Sequence, residues 1–396
     1  MKIYIVGIGM DGEKTLTREA REAIRSADAL VGARRMIEPF KNLNKPTFIS
    51  WRAEEIGEWI AGSRYETVAI PVSGDCGFFS AAKPLLDALA GYDPELICGV
   101  SSPAYFCSKL KIPWSEMRFI SLHGASANII RNIRRNPYCF FLLGGAVSPS
   151  DICQKTVKYG LGDLTVHIGE NLSLANENIV SGRARDLADK SFDKLSVMVV
   201  ENTSYERGIE SGIADGEFLR GDVPMTKAEV RGILISKLNI GSRDVCWDVG
   251  SGTGSVSVEM ALQSYDGAVY SVDRDQEAVA LTKRNAVKFG CDNLRVVLGD
   301  APECLDALPA PDKVFIGGGS EGIGAILSAA YQKNPRADVV TAAVSLETLS
   351  TAARAFDQFG VTPEIVQIAV TRTKRIGGHT MLAAENPVFL LKGARD

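Results

Sequence analysis

Residues 244–259 read DVCWDVGSGTGSVSVE, and this stretch decides the fold of the second half of the chain. A β-branched run that ends in Gly250, Gly252 and Gly254 and passes into the apolar pattern of 256–263 is typical of a strand, a tight turn and a helix. Backbone N–H groups at the positive end of such a helix can face a ligand. A GxG pattern after one strand is weak evidence by itself, so the neighbouring strands decide its meaning.

Two further strand ends are predicted at the same edge. AVYSVD ends at Asp273, 23 residues after Gly250, close to the roughly 20 expected for a carboxylate that reaches ribose hydroxyls. The next strand, LRVVLGD, ends in Gly299, Asp300 and Ala301, where an acidic or small residue can border an adenine. Three strand ends therefore point into one crevice and favour an adenosine-containing ligand.

The loop also indicates which adenosine ligand fits. A dinucleotide-binding loop places glycine or alanine three residues after its second glycine, where this chain has Ser255. The spacing GxGxG, with Asp248 two residues ahead, instead resembles the first motif of class I S-adenosylmethionine (SAM) methyltransferases. SAM carries no pyrophosphate and needs a close-approaching backbone more than a phosphate cradle. SAM is favoured over NAD or FAD and over a purely structural turn, which stay open as alternatives.

Several segments together resemble the decarboxylating methyltransferase domains of corrin biosynthesis. They are VPMTKAEVR (223–231), WDVGSGTGSVSVE (247–259), YSVDRD (270–275), LGDAPE (298–303) and FIGGGS (315–320). In that family the threonine of PMT, here Thr226, borders the cofactor, and the PMT segment (224–226) folds over it. The alternative for Thr226 is a helix N-cap with Glu229 as its capping-box partner.

The first half contains a second set of strand-end motifs. These are Gly7 and Gly9, VSGDCGFFS (72–80), GVSSPAYFCSKLKIPW (99–114), SLHGA (121–125) and ENLSLANENIVSGRARDL (170–187). In order, they resemble the tetrapyrrole methylase family, a different fold in which SAM sits between two α/β subdomains. Most members have proline after the aspartate of the second motif, whereas Cys76 follows Asp75 here, so the fixed φ of proline is missing. Ser101 and Ser102 could instead cap the helix after them, and His123 could be a structural histidine.

Strand-like and helix-like runs alternate in both halves, which predicts an α/β fold with largely parallel strands. We expect a two-subdomain tetrapyrrole methylase fold over 1–202 and a Rossmann-like, doubly wound class I methyltransferase fold over 222–396. Residues 203–221 are rich in glycine and charge and lack an apolar period, which is typical of a connector.

The resemblances imply cofactor contacts in both halves and a set of substrate contacts, while no catalytic residue is assigned. The expected SAM-binding residues are Gly7, Gly9, Gly74, Asp75, Phe78, Ser101, Ser102, His123, Thr226, Gly250, Ser251, Gly252, Thr253, Gly254, Asp273, Asp300, Ala301 and Gly317. The expected substrate-binding residues are Lys227, Arg231, Arg372, Lys374 and Arg375.

Charge and composition limit the classes of ligand and partner that the protein can bind. The chain has 396 residues with 44 Lys and Arg against 48 Asp and Glu, so no global positive field holds nucleic acid, and a polycarboxylate substrate needs a local basic cluster. The best cluster is TRTKRIGGHT (371–380), whose alternative is a solvated hairpin. Eight scattered cysteines and three separated histidines argue against disulfides and zinc. No apolar run is long enough to span a membrane, and we expect a cytoplasmic protein that self-associates.

Taken together, the two resemblances cover nearly the whole chain in the domain order of the fused methyltransferases of cobalamin biosynthesis. They imply a bifunctional enzyme that acts on a tetrapyrrole, a precorrin or a cobalt-precorrin. The N-terminal domain would methylate C5, and the C-terminal domain would methylate C15 with decarboxylation of the C12 acetate. The alternatives are one active methyltransferase joined to a degenerate N-terminal scaffold, a nicotinamide oxidoreductase, an RNA methyltransferase and a SAM-binding regulator.

Overall fold

The computed structural model describes residues 1–123, 127–208, 211–317 and 322–393. The chain divides into two compact units, the first formed by residues 1–126, 137–157 and 162–202 and the second by 127–136, 158–161 and 203–396. The last residues of the SLHGA and FIGGGS motifs, 124–125 and 318–320, lie outside the described residues. In the ranges that are described, no helix is both long and apolar enough to cross a membrane.

Within its described residues the first unit contains two five-stranded sheets, ordered β3-β2-β4-β1-β5 and β6-β7-β10-β8-β9. The strands are β1 (Lys2–Gly7), β2 (Ala29–Gly32), β3 (Thr47–Ile49), β4 (Thr67–Val72), β5 (Glu95–Ile97), β6 (Met117–Ser121), β7 (Tyr138–Leu142), β8 (Thr165–Glu170), β9 (Asn178–Arg183) and β10 (Ser196–Glu201). The helices of the first 202 residues are α1 (Arg18–Ser26), α2 (Arg34–Ile37), α3 (Ala53–Gly62), α4 (Ala82–Ala88), α5 (Ser102–Leu110), α6 (Ile129–Arg135), α7 (Pro149–Lys158) and α8 (Ala184–Leu187).

The first sheet is parallel, as predicted, and its central strands β1 and β4 are almost wholly buried. Helices on both faces of a parallel sheet explain why these strands are apolar along their length. The second sheet departs from the expected parallel arrangement, because only β6 and β7 pair in parallel. Strands β8, β9 and β10 pair antiparallel, since the short turn between β8 and β9 leaves no room for a crossover helix.

In the described part of the second unit a seven-stranded sheet has the order β13-β12-β11-β14-β15-β19-β16, and β17 and β18 form a separate hairpin. The strands are β11 (Val245–Val249), β12 (Ala268–Asp273), β13 (Leu294–Leu298), β14 (Lys313–Ile316), β15 (Asp338–Ala343), β16 (Glu364–Ile368), β17 (Thr371–Ile376), β18 (His379–Ala384) and β19 (Val388–Gly393). The helices are α9 (Ala228–Leu238), α10 (Ser255–Gln263), α11 (Gln276–Lys288), α12 (Ile323–Lys333) and α13 (Leu346–Gln358).

The sheet of the second unit confirms the predicted doubly wound fold. Strands β11 to β15 pair in parallel, and only β19 runs antiparallel to its neighbours β15 and β16. The carboxyl ends of β11, β12, β13 and β14 therefore meet at one edge, which is where a ligand binds in such sheets. Because β16 also ends at this edge, the β17–β18 hairpin that follows it projects from the same side.

Helix α6 belongs to the second unit although it lies between β6 and β7 in the sequence. The Asp292 carboxylate accepts hydrogen bonds from the N–H groups of Ile130 and Arg131, at 3.0 and 3.1 Å. Such a carboxylate satisfies free N–H groups in the first turn of a helix. Arg131 is 1% exposed and pairs with Glu206 at 2.9 Å. These contacts account for the placement of α6, which no local pattern in 127–136 indicates.

The glycine-rich stretch 203–221 is packed on the second unit from Gly212 onward, whereas residues 209–210 lie outside the described residues. The Glu259 carboxylate accepts hydrogen bonds from the N–H groups of Gly212 and Ile213, at 2.9 and 3.0 Å. Ile213 and Phe218 are both buried in the core of this unit. Hydrogen bonds to Glu259 and two buried apolar side chains therefore hold a segment that shows no helical or strand period.

Candidate active sites

The loop 250–254, here called the glycine loop, joins β11 to α10 at the carboxyl edge of the second sheet. Its three glycines have φ angles of +80°, +55° and +75°, a region that favours glycine. A Cβ on Gly250 would lie 2.2 Å from the carbonyl oxygen of Gly317, and one on Gly254 would lie 2.6 Å from the Thr282 side chain. The glycines are therefore required both by backbone conformation and by close packing.

The PMT segment lies against this loop. The Thr253 N–H donates to the Pro224 carbonyl at 3.4 Å, and a Cβ on Gly252 would meet the same carbonyl oxygen at 2.5 Å. The Asp273 carboxylate at the end of β12 accepts a hydrogen bond from the Gly252 N–H at 2.8 Å. Two separate parts of the sequence, the PMT segment and the end of β12, thus converge on the glycine loop.

Several buried polar atoms around the glycine loop lack a partner within the described structure. They are Asp248 Oδ1, Ser251 Oγ, Thr253 Oγ1 and Ser271 Oγ. Asp248 is fully buried, and its other carboxylate oxygen accepts a hydrogen bond from Ser257. Burial, with a smaller contribution from the nearby Asp273 charge, raises the pKa of Asp248 to about 7. Because unpartnered buried polar atoms are costly, their grouping here fits a ligand that carries polar and charged atoms.

The neighbouring strand ends complete this edge. The Gly317 N–H donates to the Val249 carbonyl at 2.8 Å, so the end of β14 lies directly beside the glycine loop. The Gly299 N–H donates to the Asp273 carbonyl at 3.0 Å, which places Asp300 and Ala301 at the next strand end. The structure therefore brings together the strand-end residues of the second half that the sequence singles out.

In the first unit the ends of β1, β4 and β5 form a second site, here called the N-terminal crevice (Gly7, Gly9, Gly74, Asp75 and Gly99). Gly9 and Gly74 exchange two backbone hydrogen bonds, at 3.1 and 2.8 Å. A Cβ on Gly99 would lie 2.2 Å from the Gly74 carbonyl oxygen, and one on Gly7 would lie 2.7 Å from the Gly99 nitrogen. Three strand ends approach one another more closely here than side chains would permit.

The Asp75 carboxylate links two of the loops that form this crevice. It accepts hydrogen bonds from the N–H groups of Gly77 at 2.8 Å and Gly99 at 3.0 Å. The Cys76 thiol, which stands where the family has proline, donates to the Ile97 carbonyl at 3.2 Å. Burial raises the pKa of Cys76 to about 11, so the side chain stays a neutral thiol. Hydrogen bonds of Asp75 and Cys76 therefore stabilise the loop conformation that a proline would stabilise by restricting φ.

The other expected residues of the first half have separate positions. Phe78 packs edge-on against Phe119 and Phe140 of the second sheet, with ring centroids 5.4 and 5.9 Å away. Ser101 is the N-cap of α5 and accepts a hydrogen bond from the Ala104 N–H at 3.4 Å, with Ser102 as the first residue of the helix. The alternative capping role of Ser101 is therefore confirmed. His123 follows β6 and lies beside Gly144, at the end of β7.

The structure corrects two predictions near α9. The capping box of Thr226 and Glu229 is wrong, because α9 begins at Ala228 with Lys227 as N-cap. The Thr226 carbonyl instead accepts from Arg231 at 2.5 Å, and Glu229 binds Arg372. Arg231 is 0% exposed, so it cannot reach a substrate.

The guanidinium group of Arg231 is occupied inside the protein. It pairs with Glu259 at 2.5 Å and with Asp215 at 3.4 Å, and it also donates to the Ile213 carbonyl. A buried arginine with paired carboxylates is a structural element of the core. Lys227, the other basic residue predicted at this helix, is partly exposed and lies 3.9 Å from Asp215.

The basic cluster 371–380 forms an exposed two-stranded hairpin. Arg372 is tied to Glu229 on α9 and to Glu385, with 3.2 Å to the latter. Lys374 and Arg375 are exposed on the same strand. The hairpin of the alternative interpretation therefore exists, and the topology places it at the edge that carries the glycine loop.

Sequence reasoning missed three contributors to these sites. Gly99 belongs to the N-terminal crevice, and its position at a strand end next to Ser101 was the available signal. Thr282 and Asn285 of α11 lie against the glycine loop, where Asn285 donates to the Thr253 carbonyl at 2.9 Å. No motif marks these α11 residues. Among the described residues, no group of three or more His, Cys, Asp or Glu is placed to hold a metal ion.

Comparisons with known proteins find relatives of both halves of the chain. A family model for the precorrin methyltransferase domain matches residues 217–394, and one for tetrapyrrole (corrin/porphyrin) methylases matches residues 2–188. A probable cobalt-precorrin-6B C(15)-methyltransferase (decarboxylating) of Pyrobaculum calidifontis is 47% identical over 183 residues, which cover 46% of this chain and 94% of that protein.

A second relative is similar along the whole chain. The precorrin-6Y C(5,15)-methyltransferase (decarboxylating) of Sinorhizobium sp is 27% identical over 392 residues, covering 98% of this chain and 94% of that protein. A crystal structure of precorrin-6Y C5,15-methyltransferase from Geobacter metallireducens GS-15 is 33% identical, with a TM-score of 0.45, and covers 47% of this chain and 97% of that one. The 47% identity to the Pyrobaculum calidifontis protein, together with the two family models, shows that the chain belongs to the decarboxylating precorrin methyltransferases, with a tetrapyrrole methylase domain ahead of the precorrin methyltransferase domain.

Proposed function

We propose that the chain is a bifunctional SAM-dependent C-methyltransferase of corrin biosynthesis. Its N-terminal domain methylates C5, and its C-terminal domain methylates C15 and removes the C12 acetate carboxylate as CO2, on precorrin-6B or its cobalt form. The observation that carries this proposal is the presence of two separate glycine-built strand-end sites, one in each unit of the chain.

The residues of the glycine loop fit SAM. When bound, SAM supplies a methyl group on a sulfonium centre, which is already a strong electrophile. The glycine loop lies at the start of α10, where free N–H groups of the first turn can face the carboxylate of SAM, and the unpartnered Oγ of Ser251 belongs to the same loop. Asp273 retains acceptor capacity for ribose hydroxyls beside its hydrogen bond to Gly252.

The chain's own residues mainly align the reactants and exclude water. The PMT segment covers the glycine loop from one side, and the hairpin with Lys374 and Arg375 offers charges for carboxylates of the macrocycle. In the C-terminal reaction, loss of CO2 would release an electron pair into the conjugated ring and make a ring carbon nucleophilic toward the methyl group. A variant that decarboxylates normally and does not methylate C15 would show that the two steps are separable.

The decisive experiment counts SAM sites by calorimetry on the full chain and on Asp75→Asn and Asp273→Asn variants. Asparagine removes the charge and keeps one acceptor oxygen, so each variant retains one of the two hydrogen bonds that its carboxylate accepts from backbone N–H groups. Exposed Asp189 and Asp357, replaced by asparagine, serve as matched controls in the two halves. We expect two sites per chain, each weakened by only one of the two site variants.

Other outcomes would change the proposal. A single site that responds only to Asp273→Asn would make the N-terminal domain a scaffold. No SAM binding, with binding of NAD instead, would overturn the proposed function altogether. Two intact SAM sites without methylation of any tetrapyrrole would favour a SAM-binding regulator.

A further inference from the structure

The first unit contains a large basic cleft that the proposed SAM sites do not use. We propose that this arginine cleft, lined by Arg21, Arg25, Arg34 and Arg35, binds a flat apolar molecule with several carboxylates. This inference rests on the proposed function, because the tetrapyrrole substrate belongs to that chemical class. The cleft would hold the macrocycle next to the N-terminal crevice.

The cleft has a volume of about 910 Å³ and lies between α1 and residues 34–43. Its floor is apolar and is formed by Leu16, Ile24, Phe40 and Leu43, of which Ile24 and Phe40 are buried. A site for a lone phosphate would need neither this volume nor an apolar floor. Ligand sites of this size and composition usually bury most of an extended organic molecule.

The four guanidinium groups around this floor are available to a ligand. Among the described residues, Arg25, Arg34 and Arg35 form no ion pair. Arg21 donates at 3.4 Å to the backbone carbonyl of Glu13, which leaves its charge uncompensated by that contact. Guanidinium groups bind carboxylates bidentately, so a ligand with several carboxylates could engage more than one of them.

The acidic residues of the cleft are already engaged elsewhere. The Asp11 carboxylate accepts hydrogen bonds from Thr15 and Ser173 and from N–H groups of its own loop, at 2.6 to 3.3 Å. Glu38 forms an ion pair with Lys41 at 2.8 Å. Glu13 is exposed and is the remaining carboxylate of the lining. The lining therefore has four arginines against three carboxylates, a net charge of one positive unit, in a chain that is acidic as a whole.

The cleft lies next to the N-terminal crevice, where a bound anionic ligand would be close to SAM. One side of the cleft is formed by the loop 11–16, which begins two residues after Gly9 of the N-terminal crevice. A macrocycle on the apolar floor would thus lie beside the strand ends at which the N-terminal domain is proposed to bind SAM. The arginines would act as positioning residues for carboxylate side chains, not as catalytic residues.

The test uses uroporphyrin III, a porphyrin with eight carboxylates, as the probe. Its affinity for the full chain is measured by absorbance titration for the wild type and for the Arg25→Gln/Arg34→Gln double variant. Arg18→Gln is the matched control, because Arg18 lies on the same helix, is 91% exposed at its side chain and pairs with Glu22. We expect the double variant to raise the Kd of the porphyrin at least tenfold and the control to change it less than twofold.

Three further measurements separate the possible results. The octamethyl ester of the same porphyrin should bind at least tenfold more weakly than the acid, because esterification removes all eight negative charges. Equal porphyrin affinity in the wild type and the double variant would overturn the inference, as would displacement of the porphyrin by millimolar inorganic phosphate. SAM binding, measured on the same samples, should be unchanged; its absence in the wild type would be a failure of the proposed function and not of the arginine cleft alone.

Discussion

Asp248 is a buried carboxylic acid whose ionisation the fold opposes. Its pKa is raised to about 7 by burial, against an ordinary value near 4. Between these two pH values the unfolded chain releases a proton that the folded chain keeps, so this aspartate lowers the stability of the fold as pH rises. The penalty is absent below about pH 4 and complete above about pH 7.

We therefore predict that Asp248→Asn changes stability in a pH-dependent way. Relative to the wild type, the melting temperature of the variant should rise from pH 4 to about pH 7 and then level off, corresponding to a gain of about 1 to 4 kcal/mol at about 1.4 kcal/mol per pKa unit. Thermal melts without SAM across this range provide the measurement. A difference between the two proteins that stays constant with pH would contradict the raised pKa.

The glycine loop allows a matched test at Gly250. Gly250 and Gly360 both have positive φ, at +80° and +70°, but a Cβ on Gly360 would meet nothing within 4 Å. Gly360→Ala should therefore cost only the backbone strain of about 1 to 2 kcal/mol. Gly250→Ala should cost more than Gly360→Ala and should abolish one SAM site. Calorimetry and thermal melts on both variants check this, and equal losses would refute the close-packing argument.

Arg231 illustrates what the sequence of a single helix does and does not reveal. In the sequence of α9 the apolar residues Val230, Ile233, Leu234 and Leu238 follow a helical period and predict its buried face, yet Ile233 is 38% exposed while Arg231 is fully buried. Arg231 lies three and seven residues before Leu234 and Leu238 and so shares their face. That spacing predicts that Arg231 is buried. The partner of Arg231, Glu259, lies on α10, and no pattern in α9 identifies this partner.

Removing Arg231 should be far more costly than removing Arg372. We expect Arg231→Ala to lower the free energy of unfolding by about 3 to 5 kcal/mol, because it leaves Glu259 buried and unpaired. Arg372→Ala breaks more exposed pairs, so its cost should be about 0 to 1 kcal/mol. Denaturant unfolding of both variants makes the comparison, and similar costs would show that Arg231 is not a core residue.

At the scale of elements, strands, helices and the glycine loop of the second unit could be predicted because local patterns determine them. AVYSVD corresponds to β12 without any change of bounds, and three glycines marked a loop whose φ angles require them. The antiparallel part of the second sheet was not predicted, since pairing direction depends on contacts between strands that are distant in sequence. The residues that contact SAM and the exact domain boundaries stay predictions.

The β17–β18 hairpin is the element whose role is most open to test. We predict that Lys374→Ala/Arg375→Ala raises the KM for the tetrapyrrole about tenfold, corresponding to about 1.4 kcal/mol, and leaves SAM affinity unchanged. Lys283→Ala/Arg284→Ala is the matched control, because this adjacent Lys-Arg pair is exposed on α11. Steady-state kinetics of C15 methylation provide the readout. An equal KM for both double variants would leave the hairpin without a role in substrate binding.

At the scale of the whole molecule, the two compact units do not correspond to two continuous halves of the chain. Residues 127–136 and 158–161 belong to the second unit although they precede residue 202. A fragment of residues 1–202 contains α6 without Asp292 and Glu206, the residues that bind its N–H groups and its buried Arg131. A cut at residue 202 therefore separates residues 127–136 and 158–161 from the rest of the second unit.

We accordingly predict that α6 is protected in the full chain and open in the fragment 1–202. Trypsin should cleave after Arg131 in the fragment at least ten times faster than in the full chain, where this side chain is 1% exposed. Mass spectrometry of timed digests measures both rates. Full-length Asp292→Ala should give an intermediate rate, and equal rates in all three proteins would contradict the contacts described for α6.

The same placement of α6 imposes an order on synthesis. About 160 residues separate Arg131 from Asp292, so at roughly 5 to 20 residues per second the ribosome needs about ten to thirty seconds to supply the partner. Throughout that interval the N-terminal region is already synthesised, but α6 lacks the residues of the second unit that bind it. The nascent chain must keep this segment from aggregating until Asp292 has left the exit tunnel.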